Sequence, residues 1–89
     1  MKIQLYFSYD VPGTTSGDVP LAELSKTFTR LKFQPMVGDV FTLTDLSAND
    51  QYTLKNLRIA TPKKLEVKKR EFSFQDQALH VYLKRISVG

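Results

Sequence analysis

Residues 2–9 constrain this chain most. Ile3, Leu5, Phe7 and Tyr9 alternate with Lys2, Gln4, Tyr6 and Ser8. A period of two puts the first set on one side of an extended backbone and the second set on the other, so the segment reads as a half-buried strand.

The next residues, Asp10 to Pro20, hold two glycines and two prolines and read as a long loop. From Leu21 onward the period changes. Leu21, Leu24, Phe28 and Leu31 share one helix face, and Pro20 suits a first turn. Thr27 and Thr29 are β-branched and oppose a long helix, which predicts a short one near residues 20–28, followed by extended chain through Phe33. Pro35 to Asp39 forms a tight turn with Gly38 free to take positive φ.

Alternation then returns. Phe41 and Leu43 mark a second strand, and residues 46–50 a turn. Tyr52, Leu54, Leu57 and Ile59 mark a third strand, with a phase slip of the kind a β-bulge produces. Leu65 and Val67 share one phase while Phe72 and Phe74 share the opposite one, around the charged run Lys68-Lys69-Arg70-Glu71. That pattern means either one strongly bent strand or two short strands about a charged turn. After a turn at residues 75–77, Leu79, Val81 and Leu83 alternate with His80, Tyr82 and Lys84 in a last strand.

The expected fold class is therefore mainly β, bordering on α+β: a small antiparallel barrel or rolled sheet of five to six strands, with one short helix near residues 20–28. A chain of 89 residues has room for one such domain, spanning 1–89.

Composition removes several classes of function. There is no cysteine, hence no disulfide framework, thiolate zinc site or cysteine nucleophile. That composition fits a reducing compartment, and a cytoplasmic location is the expectation. No run of about 18 apolar residues exists to cross a membrane, and the N-terminal alternation is not a signal-peptide core.

Catalytic constellations are missing as well. His80 is the sole histidine, with no ligand partners at zinc spacing. The carboxylates are scattered, and Asp45, Asp50 and Asp76 fall where turn aspartates cap local backbone. Residues 13–18 carry glycines and hydroxyls but not the Gly-Lys-Ser/Thr of a phosphate loop, and Ser16 has no base nearby. The expectation is no enzyme, no metal and no cofactor.

What stands out is charge. Residues 1–51 hold four Lys and Arg against six acids, and residues 52–89 hold nine against three, so the net +4 divides into −2 and +6. A basic half attracts polyanions. Lys63, Lys64, Lys68, Lys69 and Arg70, with Lys84 and Arg85 returning beside them in a hairpin, form a candidate nucleic-acid-binding edge. Tyr82, and with it Tyr6, lies opposite its strand's aliphatic side and is a candidate stacking surface. The competing readings are lysines that merely protect a sheet edge, and tyrosines that cover a second small core. The expected function is a non-catalytic module contacting nucleic acid. The alternative is a protein-interaction or assembly adaptor, bound to an acidic protein surface or to a second copy of itself, that uses a strand edge or apolar patch.

Overall fold

The computed structural model describes residues 1–10, 16–42, 47–56 and 63–86. These form five strands and two helices in the order β1 (Lys2–Asp10), β2 (Ser16–Pro20), α1 (Ala22–Leu31), β3 (Val40–Thr42), α2 (Ala48–Asn56), β4 (Lys64–Ser73) and β5 (Ala78–Arg85). The strands make one sheet in the order β2-β1-β5-β4-β3. This is an open sheet with β2 and β3 at its edges, not a closed barrel.

Nor is it purely antiparallel. β1 and β5 run parallel, in register from Lys2↔Ala78 to Phe7↔Leu83. The whole chain between them forms the crossover that a parallel pair requires. Two hairpins, β1–β2 and β4–β5, join elements adjacent in sequence, and β3 pairs antiparallel with β4 across the intervening α2.

One face of this sheet is the core. Ile3, Leu5 and Phe7 of β1 and Leu79, Val81 and Leu83 of β5 are buried there with Val19, Leu65 and Val67. Leu21, Leu24 and Phe28 close over them from the α1 side. Phe28, Phe33 and Phe41 meet edge to face at the β3 end, with centroids 5.3 to 5.9 Å apart.

The expected helix is present but longer, reaching Leu31. Thr29, which on propensity alone opposes a helix, is used here as a strand substitute. β2 pairs only with Tyr6 to Asp10, so the outer edge of residues 3–5 would otherwise be bare. Ile3 N–H donates to Thr29 Oγ1 at 2.9 Å, and that hydroxyl donates back to the Ile3 carbonyl at 3.2 Å. Leu5 N–H donates to Ser25 Oγ at 2.7 Å, and Leu21 N–H donates to the Leu5 carbonyl at 2.9 Å. A helix thereby satisfies backbone groups that normally need another strand. The helix ends at Lys32, whose φ of 56° is left-handed and whose N–H reaches the Phe28 and Thr29 carbonyls.

Two sequence expectations fail here. Residues 16–20, read as loop, form edge strand β2. An edge tolerates Pro20, and the Tyr9 side chain lies across Gly17, filling the space a side chain would take. Residues 48–56, read as a turn and part of a strand, form helix α2. Tyr52 is exposed and Leu54 is buried, so their alternation in sequence does not reflect a pleat. Leu57 and Ile59 lie outside the described residues, as do Leu43 and Asp45. Ser47 starts α2, its Oγ accepting from Asp50 N–H at 3.2 Å.

Asp50 is 2 % exposed, and it caps a different helix from its own. Its Oδ1 accepts from Glu23 N–H at 3.2 Å and its Oδ2 from Leu24 N–H at 3.0 Å. The residue before α1 is Leu21, which has no polar side chain to cap with. The carboxylate from α2 takes that place at the positive end of α1 and docks the two helices together. Asp76 lies in a local turn, where Ser73 Oγ accepts from its N–H and donates to its Oδ2, both at 3.3 Å. The turn at residues 35–39 also forms as expected, with Gly38 at φ 96°.

Candidate functional site

No described helix covers the second face of the sheet. Its residues are those that alternate with the core: Gln4, Tyr6 and Ser8 on β1, and His80, Tyr82 and Lys84 on β5. Register sets Gln4 beside His80 and Tyr6 beside Tyr82. Tyr6 stacks on Tyr82 with centroids 4.9 Å apart and planes 14° from parallel, and on His80 at 5.7 Å and 23°. The Tyr6 hydroxyl and His80 Nδ1 share a hydrogen bond of 2.9 Å, while His80 Nε2 lies 3.9 Å from Asp76 Oδ2. Burial among these neighbours pushes the Tyr6 hydroxyl above its ordinary pKa, and the charge of Tyr82, Asp76 and Asp18 adds to the rise. The tyrosines form a half-buried layer of rings, not a second core under a helix.

β4 supplies charge to this layer through a bulge. Val67 pairs with Leu83 and Lys69 with Tyr82, so Lys68 is the extra residue. The bulge accounts for the opposite phases of Leu65 and Val67 and of Phe72, and the result is one continuous strand. It turns Lys69 and Glu71 to the helix-free face, and Arg70 and Phe72 to the same side as Val81 and Leu79. Lys69 Nζ lies 5.3 Å from the Tyr82 ring centroid and 2.8 Å from Glu71 Oε1. That hydrogen bond to Glu71 holds the Lys69 ammonium above its ordinary pKa. Tyr82 is thus approached from one neighbouring strand by Tyr6 and from the other by Lys69.

Beyond Phe7 and Leu83 the parallel pairing stops, while both hairpins run on. Their ends leave an open concavity of about 610 Å³. Ser8, Tyr9, Ser16, Gly17 and Asp18 line it from the β1–β2 hairpin, and Lys68, Lys69, Tyr82 and Lys84 from the β4–β5 hairpin. Ser8 Oγ donates to Asp18 Oδ1 across the first wall. On the second wall, Lys68 pairs with Glu66 at 2.9 Å and Lys69 with Glu71. Lys84 has no acidic partner among the described residues.

The eight residues singled out in the sequence therefore do not share one face. Lys68, Lys69, Tyr82 and Lys84 meet in the concavity. Lys64 alternates with buried Leu65 and so falls on the helix-free side, farther along β4, with Lys63 just before the strand. Arg70 and Arg85 register with Val81 and Leu65 and belong to the helix-bearing side, where the Arg70 guanidinium lies against the Met36 sulfur. Phe72 is 45 % exposed and Phe74 86 %, so neither belongs to the core. Sequence reasoning missed Ser8 and Asp18. Ser8 was legible as a polar-face residue of β1, but Asp18 needed the β2 pairing that glycine and proline concealed.

The fold and site together define a small α+β domain whose open sheet has one face carrying helices and one carrying rings and lysines. Comparison with family models, curated proteins and solved structures returns no match for the chain. Among the described residues, no helix is long and apolar enough to cross a membrane.

Proposed function

We propose that this chain is a non-catalytic binding module that contacts nucleic acid through the helix-free face of its sheet. The observation that carries this reading is the concavity in which Lys68, Lys69 and Lys84 surround Tyr82. Positive charge beside an aromatic face is what a single strand uses: phosphates take the ammonium groups, and bases take the ring. The pairing of Lys68 and Lys69 with glutamates tempers the field without removing it, because exposed ion pairs are weak and a phosphate competes readily for the same lysine. A base reaches the Tyr82 face when Lys69 swings aside. Tyr6 behind the ring holds it upright. The cysteine-free composition fits a cytoplasmic setting for such a module.

The test is fluorescence anisotropy with labelled single- and double-stranded oligonucleotides at several salt concentrations. Three phosphate contacts predict log affinity falling with log salt at a slope of about −2 on a single strand. Lys68→Glu with Lys69→Glu abolishes binding while leaving the thermal melt in place. Unchanged affinity in the folded double variant overturns the proposal.

A second reading draws on the far end of β4. β3 pairs only as far as Glu66, and the Gly38 and Asp39 backbone continues the ladder only to Val67. No described strand pairs with the outer edge of β4 beyond that point. Exposed Phe72 and Phe74 stand beside it, edge to face at 4.9 Å. An extended peptide adding to that edge is the adaptor alternative. It predicts partner binding that Phe74→Ser weakens and that salt barely affects.

A further inference from the structure

We propose that the concavity selects ribonucleotides, with the Asp18 carboxylate accepting the 2′-hydroxyl of a nucleotide whose phosphate lies on Lys84. This rests on the nucleic-acid reading above and adds the sugar to it.

Asp18 is otherwise out of place. It stands in an opening that faces three lysines, where a carboxylate repels phosphate and weakens any purely electrostatic grip. It forms no ion pair with any of the three among the described residues, and Lys68 and Lys69 are paired with Glu66 and Glu71. Ser8 instead fixes it, by donating to Oδ1 from the neighbouring strand, where Ser8 and Asp18 are directly opposed. Oδ2 has no partner among the described residues. An acceptor held in that way fits a ligand that brings a hydroxyl donor together with its negative charge.

The walls carry the three kinds of group that a nucleotide would meet. Tyr82 and Lys84 stand two residues apart on the same face of β5, offering a ring for the base and, for the phosphate, an ammonium with no acidic partner among the described residues. Asp18 faces them from the opposite wall, close enough that its charge contributes to the rise in the Lys69 pKa. In a nucleotide the sugar lies between base and phosphate. The 2′-hydroxyl is the donor that distinguishes RNA from DNA there. A shallow, open site reads that group regardless of the base.

Oligouridylate and oligodeoxyuridylate of equal length carry the test, because they share a base and differ only at the sugar. Wild type binds the ribo-oligomer about tenfold or more tightly, the effect of a hydrogen bond to a charged acceptor. Asp18→Ala removes the difference, and its deoxy binding stays level or rises as a negative charge leaves. Asp18→Asn keeps the shape and one acceptor oxygen, gives an intermediate ratio, and carries the test if the alanine variant melts early. Equal wild-type affinity for the two oligomers overturns the inference and leaves the nucleic-acid reading standing. A ribose preference that survives in both variants also overturns it. Failure to bind either oligomer at low salt overturns both.

Discussion

Leu83 and Tyr82 are neighbours on β5 and belong to opposite faces of the same sheet. Leu83 is fully buried with Leu5, Phe7 and Val67. Tyr82 is half-buried in a row of rings, between a second tyrosine and a lysine. On the first face, apolar area leaves water, which is where most of the stability arises. On the second, rings cover the strands while keeping polar tips and charges accessible. The difference separates what holds the domain together from what is left free to bind.

The largest effect comes from testing those neighbours together. Leu83→Ala leaves a cavity in a closed core and lowers stability by about 2–5 kcal/mol in denaturant unfolding. Tyr82→Ala costs clearly less in stability and falls on oligonucleotide affinity instead, by about 1–3 kcal/mol per stacked base. Equal stability losses from the two would mean that the ring layer is a second core, and the division between the faces would collapse.

The next effect concerns how the covered face acquires its lid. Asp50→Ala strips two α1 N–H groups of their acceptor, with an expected loss of about 1–2 kcal/mol. Asp50→Asn keeps an oxygen and loses less. Hydrogen exchange localises the change: protection falls at Glu23 and Leu24 first. Fully retained protection there would mean that solvent replaces the cap without cost.

The smallest effect is a pH response of the open face. Because the folded Tyr6 hydroxyl titrates above its unfolded value of about 10, its contribution is complete below that value and lost as pH rises through the folded one. Lys69, also raised, acts in the same direction. Tyr6→Phe makes the alkaline limb of the stability curve shallower. An identical limb in the variant would assign the alkaline loss to other groups.

The hairpin of β4 and β5, the turn at Gly38 and the existence of α1 were legible because each rests on local chemistry: period, turn residues, and a residue able to take positive φ. The failures share one cause. Residues 48–56 carry a capping signal, Ser47 followed three residues later by Asp50, but the accidental alternation of Tyr52 and Leu54 outweighs it on inspection. Residues 16–20 look like loop because Gly17 and Pro20 are poor strand formers, and only their place at an edge makes them acceptable. The candidate lysines were visible as a cluster, but the bulge at Lys68 decided which of them meet, and a phase slip in sequence does not say on which residue the extra position falls.

The sequence alone determined which residues are available to each face, because alternation at period two is a covalent property of an extended chain. It determined the basic bias of the C-terminal half and the absence of thiol chemistry for the same reason: both are matters of composition. Tertiary structure decided the rest. The parallel pairing of β1 with β5 joins residues more than seventy positions apart, as in Gln4 and His80, and so builds the ring layer. The Asp50 cap and the hydroxyls of Ser25 and Thr29 on the edge of β1 are likewise contacts between distant segments, and Asp18 and Lys84 line one concavity from different hairpins. Their free energies depend on distance and burial in three dimensions, and no local pattern of residues encodes either.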